Sequence, residues 1–276
     1  MPNNEKIRFV QFLHPGGEHK PDRGRYISWN RGKHKRKFIK QDGYYLDENN
    51  RMMKDKIVFW GEWEPQSVVA GEGKIDNPVH HGPKYIYEPY YDLDEAKKKD
   101  GKRSDSIDCK GGLLQNTDPF VFGDRFLYGI CKQCRKTGPT KLTCLEKGAI
   151  IVFGSCKEQR FVVDTIFVVG DYIDYTCTED GLKDLENELR QHDLSKNYIE
   201  KFFEISPYRF MESLESKEDK KDLKHMTHRL YIGATYKEPY EGMFSFFPCR
   251  PYQCTPKGFK RPETGLAKKS LQTARM

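Results

Sequence analysis

The stretch from Gly148 to Asp171 constrains the fold of this chain more than any other part of the sequence. It contains two near-continuous apolar runs, residues 149–154 and 161–170, which are rich in Val, Ile and Phe and are separated by the polar sequence SCKEQR. Runs of this kind predict the two buried strands of a β-hairpin, because a helix would leave a polar stripe that is not visible here. Gly148 and Gly154 bracket the first strand and indicate a turn or the close approach of another chain segment.

Asp164 is the one ionisable residue inside the second apolar run. Alternation along a strand places its side chain on the same face as Val162 and Ile166. A carboxylate in that position must be paired, hydrogen-bonded or protonated, because burying it alone is too unfavourable. Asp164 is therefore either a structural acid bonded to the backbone or to Arg or Lys, or part of a functional site, where buried ionisable groups cluster.

The composition indicates a polar, soluble chain with enough aromatic residues to form a substantial core. Of 276 residues, 32% are charged and 13% are aromatic. The N-terminus MPNNEKIRF goes straight into charged residues, and no apolar run approaches the ~20 residues of a membrane span, so we expect no membrane association. Eight cysteines without secretory features predict reduced thiols in a cytoplasmic protein.

The net charge of +7 is concentrated in one segment. Residues 20–40 contain nine Lys or Arg and one acid, which leaves 39 basic and 40 acidic residues in the rest of the chain. A localised basic patch with interleaved aromatic residues suits a nucleic-acid groove, because bases neutralise phosphates and aromatic faces stack on nucleobases. The alternative is a solvated loop without a specific ligand. The residues expected to contact DNA or RNA are Arg23, Arg25, Trp29, Arg31, Lys33, Lys35, Arg36 and Lys37.

Two tryptophans in a predicted strand at residues 57–63 indicate a second candidate site. Two indoles this close together can wall an aromatic pocket, with an acid to accept hydrogen bonds from a ligand's amino group. The alternative is that the tryptophans belong to the core and its rim. The pocket hypothesis places an acid near the floor, beside the central hairpin, and its residues are Trp60, Glu62, Trp63 and Asp164.

The cysteine spacing predicts a structural zinc ion. Cys131 and Cys134 form a CxxC motif, and Cys144 follows after nine intervening residues. A zinc knuckle needs a fourth ligand, for which Cys109 is the better candidate, with His80 or His81 behind it. A redox pair or unmetallated thiols are the alternatives, because a second CxxC is missing. The predicted ligands are Cys109, Cys131, Cys134 and Cys144.

The remaining patterns predict a single domain over residues 1–276. Residues 92–106 are highly charged and are expected to form an exposed insertion, and Asp42-Gly43 signals a turn. Residues 179–224 are predicted to be helical, because leucines recur at helical spacing after acids in a first turn. Residues 257–276 contain six bases and one acid without periodicity, which predicts a flexible basic tail.

Strands at both ends of the chain, a β-rich centre and a late helical segment predict an α+β fold built on a curved mixed sheet or a small β-barrel. The order LEKGAIIVFGS followed by FVVDTIFVV resembles the core of PUA-like barrels such as the ASCH, EVE and YTH modules. The resemblance covers residues 57–63 and 145–171. It implies recognition of RNA or of a modified DNA base in an aromatic-lined pocket.

Two functions from different classes are compatible with the sequence. The first is a nucleic-acid-binding protein that uses the basic segment and an aromatic pocket, with a modified or flipped base as ligand. The second is a nuclease or base-modifying enzyme with a metal-dependent acidic site, for which the candidate acids are Glu62, Glu64, Asp118, Asp124 and Asp164. An interaction subunit that binds an acidic partner is a third possibility. The sequence contains no phosphate-binding GxxxxGK[ST], HExxH or GxSxG motif.

Overall fold

A computed structural model of the chain describes residues 7–14, 35–63, 69–80, 82–89, 119–122, 125–157, 160–205, 207, 211, 218–254, 257–267 and 271–275. About half of these residues lie in strands, and the α-helices come late in the chain, as predicted. The strands are β1 (Ile7–His14), β2 (Lys35–Leu46), β3 (Met52–Trp63), β4 (Val69–Lys74), β5 (Tyr85–Pro89), β6 (Phe120–Phe122), β7 (Arg125–Tyr128), β8 (Cys134–Arg135), β9 (Gly138–Pro139), β10 (Ile150–Lys157), β11 (Arg160–Tyr175), β12 (His228–Gly233), β13 (Cys249–Pro251), β14 (Glu263–Ala267) and β15 (Leu271–Arg275). The α-helices are α1 (Glu179–Leu189) and α2 (Lys196–Ile205), and 3₁₀ helices span Lys141–Thr143 and Glu218–His225.

The described strands form two large open sheets and a small one. The first sheet has the order β15-β1-β10-β11-β12-β7-β6, with β14 also paired to β11, and the second has the order β13-β3-β2-β5-β4. Both are mixed, because β1 runs parallel to β10 and β2 runs parallel to β5. The prediction of a mixed sheet is thus confirmed, whereas the pairing of the described strands does not close a barrel.

The central hairpin is confirmed. Strands β10 and β11 pair in antiparallel register from Ile150 opposite Val168 to Lys157 opposite Arg160. Gly148 has φ of +82°, and a Cβ there would collide with the Tyr240 ring. A Cβ at Gly154 would collide with the main chain of β11, next to a shift in register. Both glycines therefore have the roles that their positions predict, a turn and a close approach.

The prediction of a turn at Asp42-Gly43 is wrong. These two residues lie in the middle of β2, which pairs with β3 without interruption from Lys35 to Leu46. The chain reverses five residues later, where the N–H of Asp47 donates to the carbonyl of Arg51. The Asp47 carboxylate accepts hydrogen bonds from the N–H groups of Asn49 and Arg51, and Asn50 has φ of +58°. The carboxylate-capped turn thus provides the reversal, while the Asp-Gly pair continues the strand.

Two of the four apolar clusters among the described residues make up most of the core. The larger one contains buried residues from both large sheets, and so it holds the sheets together. The second lies between the far half of β11 and the helices, where Leu182, Leu185 and Leu189 of α1 are buried as their spacing predicts. The side chain of Thr178 caps α1 by accepting a hydrogen bond from the N–H of Gly181, and two acids occupy the first turn.

Residues 257–276 were predicted to form a flexible basic tail, but the described part of this segment contains two strands. Strand β14 pairs with β11, and β15 pairs with β1 at the edge of the first sheet. The N–H of Val163 donates to the carbonyl of Pro262, and Arg160 forms an ion pair with Glu263. Main-chain pairing with existing strands stabilises this segment, and such pairing leaves no periodic signal in the sequence. The insertion predicted at residues 92–106 lies outside the described residues.

No helix among the described residues has the length and apolar character needed to cross a membrane.

The stability of the fold should depend on pH through His228. This side chain is buried, its Nδ1 lies 3.0 Å from the Met226 carbonyl oxygen, and burial lowers its pKa below the ordinary value of 6.5. Because the unfolded chain then binds more protons near its own pKa, acidification favours unfolding. We expect the thermal midpoint to fall between about pH 7.5 and about pH 5, and to fall less in the His228→Gln variant.

The exposed His225 provides the control, since His225→Gln should keep the slope of the native protein. Equal slopes in the native protein and in His228→Gln would contradict the prediction.

Candidate functional site

The basic residues predicted to contact nucleic acid lead into the second sheet. Arg23, Arg25, Trp29, Arg31 and Lys33 lie outside the described residues. The backbone of Lys35, Arg36 and Lys37 forms the start of β2, opposite Trp63, Glu62 and Gly61 of β3. The structure therefore places the end of the basic segment at one end of the long β2–β3 hairpin.

Trp60 is a core residue. Its side chain is 4% exposed, and its Nε1–H donates a hydrogen bond to the carbonyl oxygen of Phe259 at 3.1 Å. The indole packs against Phe38, with ring centroids 5.4 Å apart. The side chains of Glu62 and Trp63 lie outside the described residues.

Asp164 belongs to the same buried assembly through Arg261. The Ser155 hydroxyl donates to Oδ2 of Asp164 at 3.2 Å, and Nη1 of Arg261 lies 3.4 Å from Oδ1. Arg261 also donates to the Ser155 hydroxyl, and its guanidinium lies 4.8 Å from the centre of the Trp60 ring. Of the two interpretations of Asp164, the structural acid paired with Arg is the one that the structure favours.

Trp60 and Asp164, which the sequence analysis places in a ligand pocket, are therefore buried structural residues. Arg261 contacts both residues, since its guanidinium lies over the Trp60 ring and its Nη1 lies beside Asp164. The side chains of this ion pair are 4% exposed for Arg261 and 1% exposed for Asp164, so neither group faces an open pocket. These groups attach the C-terminal segment to the central hairpin.

The described cysteines do not form a metal site among themselves. Cys131 packs against the core between the sheets, whereas Cys134 packs against the cluster under the helices. Cys144 is exposed beside Thr143, and burial raises the pKa of the Cys134 thiol. No group of three His, Cys, Asp or Glu that could hold a metal occurs in the described part of the chain. Cys109 and His81 lie outside it, so zinc binding stays a prediction.

A different feature is a cleft of about 350 Å³ between the two large sheets. One wall is the end of the β2–β3 hairpin, and the other is the segment that follows β12. Aromatic side chains dominate the lining, which consists of Tyr44, Tyr45, Leu46, Met52, Phe126, Tyr236, Phe244, Ser245, Phe246, Phe247, Pro248 and Cys249.

Three of these rings are exposed to an extent that is unusual for large apolar side chains. The exposed fractions are 47% for Phe246, 38% for Tyr236 and 36% for Tyr44. The first value follows from strand geometry, because the backbone of Phe246 bridges to Ile166 of β11 and side chains alternate in an extended segment. Ser245 and Phe247 are buried on one side, so Phe246 must project to the other.

Contacts between the rings hold the exposed wall in place. Phe244 lies between the two exposed rings of this segment, 5.4 Å from Tyr236 in an edge-to-face arrangement and 6.3 Å from Phe246. The hydroxyl of Tyr236 donates to the carbonyl oxygen of Asn50 at 2.9 Å, which ties this wall to the β2–β3 turn. The aromatic surface is thus fixed before any ligand arrives.

This cleft is not predicted by any of the sequence patterns described above. A signal was present in GMFSFF at residues 242–247, where a positive-φ turn at Glu241-Gly242 precedes phenylalanines in alternation with Ser245. The opposite wall, Tyr44 and Met52, is almost two hundred residues away, so no local pattern brings the two together.

Replacement of Trp60 tests its assignment to the core. We expect Trp60→Ala to lower the free energy of unfolding by about 3–5 kcal/mol, because it removes a buried aromatic side chain and its hydrogen bond to Phe259. Chemical denaturation measures the change. Met53 is 39% exposed, so Met53→Ala is the control and should change stability by less than about 1 kcal/mol.

A loss as small as that of the control would contradict the assignment of Trp60 to the core and would restore the pocket hypothesis.

Comparison with protein-family models, with curated protein sequences and with solved structures finds no match to this chain.

Proposed function

We propose that this protein binds nucleic acid, with nucleobases stacked in the aromatic cleft and phosphates held by the basic segment at residues 20–40. The observation that carries the proposal is the cleft, where Tyr44, Tyr236 and Phe246 expose aromatic faces in one place. Contiguous exposed apolar surface of this kind marks binding sites in soluble proteins. Stacking of one base on an aromatic side chain contributes about 1–3 kcal/mol.

The charge of the chain supports a polyanionic ligand over an apolar one. Residues 20–40 carry nearly all the excess positive charge, and they lead directly into β2. The cleft residue Tyr44 lies nine positions after Lys35 in the same strand, on the order of 30 Å away at ~3.3 Å per residue. One extended strand therefore connects the basic segment to the aromatic cleft.

A cation also lies beside the cleft. The ammonium group of Lys54, on β3 opposite Tyr44, is 5.9 Å from the centre of the Tyr44 ring. A cation at this position can contact the phosphate next to a stacked base. The cleft and this lysine support the function independently of the resemblance to PUA-like modules, which implies the same class of ligand.

The enzymatic alternative gains no support from the described residues. Of its candidate acids, Asp164 is the one whose side chain is described, and it is bonded to Ser155 and Arg261. The side chains of Glu62, Glu64, Asp118 and Asp124 lie outside the described part of the chain. No observation therefore favours catalysis over binding.

Charge reversal tests the proposed function. We expect Arg31, Lys33, Lys35, Arg36 and Lys37 replaced together by Glu to weaken binding of every oligonucleotide, because phosphate contacts carry little sequence information. The slope of log affinity against log salt should fall in magnitude by up to about 3.5 for single strands, at about 0.7 per lost contact. Fluorescence anisotropy over a salt series measures both quantities.

The control is the replacement by Glu of two exposed lysines far from the basic segment in sequence, Lys183 and Lys196 on the two helices, which should leave the slope nearly unchanged. Equal affinity of the charge-reversed and native proteins, with both folded, would contradict the proposed role of the basic segment.

A further inference from the structure

We infer that the cleft selects unpaired bases by stacking and does not read their edges, so that its ligand is single-stranded nucleic acid of any sequence. This inference rests on the proposed function and deepens it. It follows from which atoms of the cleft lining are already engaged within the protein.

Three polar side chains of the lining, those of Ser245, Cys249 and Tyr236, are bonded inside the protein. The Ser245 hydroxyl accepts a hydrogen bond from the N–H of Val168 at 3.0 Å and donates to its carbonyl oxygen at 3.2 Å. The thiol of Cys249 donates to the carbonyl oxygen of Tyr44 at 3.8 Å, and the Tyr236 hydroxyl donates to Asn50. Discrimination between bases requires donors and acceptors directed at base edges, and these three donors are used elsewhere. The lining also contains the hydroxyls of Tyr44 and Tyr45, each of which can donate or accept and therefore suits the edge of any base.

The Cys249 thiol contributes no charge to the cleft. Burial raises its pKa to about 12, so the group is neutral at physiological pH. The Cys249 thiol therefore gives a bound base no charge to interact with, and its S–H group is already directed at the Tyr44 carbonyl oxygen. Aromatic faces are the principal surface that it presents, and every base has a face that can stack on them.

A base within a duplex cannot reach these rings, because its faces are covered by neighbouring base pairs. Entry into the cleft requires that the base leave the stack, which costs a few kcal/mol in duplex DNA. An unpaired strand avoids this cost. The sugar and phosphate of the same nucleotide remain outside, where Lys54 contributes a positive charge that does not distinguish DNA from RNA.

The test uses labelled strands of about 12 nucleotides, namely oligothymidylate, oligoadenylate, a mixed-sequence RNA and a mixed-sequence DNA duplex, at one salt concentration. Fluorescence anisotropy should give single-strand affinities within about fivefold of each other and a duplex affinity at least about tenfold weaker. Phe246→Ala should weaken single-strand binding about 5-fold to 150-fold, because it removes a stacking face.

Two controls separate stacking from other effects. Phe246→Tyr keeps an aromatic face and should bind within about twofold of the native protein. Val79 is 38% exposed and does not line the cleft, so Val79→Ala should have no effect. Because the Phe246 side chain is 47% exposed, both of its variants should fold, as thermal unfolding will verify.

The outcomes distinguish failure of the inference from failure of the proposed function. A preference of more than about tenfold for one base, equal affinity for the duplex, or unchanged binding by Phe246→Ala would overturn the inference while nucleic-acid binding stands. Absence of binding to all four probes would overturn both. Binding of a short peptide rich in Leu and Pro, with none of the nucleic acids bound, would assign the cleft to a protein partner and would also overturn both.

Discussion

A pair of main-chain hydrogen bonds connects the central hairpin to the candidate site. The N–H of Ile166 donates to the carbonyl oxygen of Phe246 at 2.8 Å, and the N–H of Phe246 donates back at 2.9 Å. Because β11 is itself paired with β10, β12 and β14, the bridge fixes Phe246 relative to the most buried part of the fold. Alternation then directs Ser245 and Phe247 inward and Phe246 outward.

The cleft depends on both large sheets. The Phe247 ring packs against Phe59 of β3 and Phe126 of β7, and its centroid lies 4.5 Å and 6.1 Å from the centroids of those two rings. These contacts bring the end of the β2–β3 hairpin opposite the segment that carries Phe246. Rings held by their neighbours in this way lose little conformational freedom when a ligand binds, so more of the stacking free energy remains as affinity.

The same fold uses buried polar groups for attachment. Arg261 contacts Ser155 and Asp164 on the central hairpin and lies over Trp60 of the second sheet. An isolated carboxylate or guanidinium in this place would be strongly unfavourable, so each group is retained together with its partner. The interaction joins the C-terminal segment to both sheets.

Predictions from sequence were reliable where burial leaves a local pattern. Strands β10 and β11 are predicted from their continuous apolar runs, and α1 is predicted from the helical spacing of its buried leucines. The environment of Trp60 could not be predicted from the sequence, because the carbonyl group that accepts its hydrogen bond lies 199 residues later in the chain. The cleft was missed for the same reason, since the walls that carry Tyr44 and Phe246 meet through tertiary packing alone.

Ultraviolet cross-linking with oligothymidylate tests the central claim most directly. After irradiation and proteolysis, mass spectrometry identifies the residues that carry the nucleotide. The account predicts that aromatic residues of the cleft are modified, with Phe246 or Tyr236 among them. Efficient cross-linking that is confined to residues outside the cleft would contradict it.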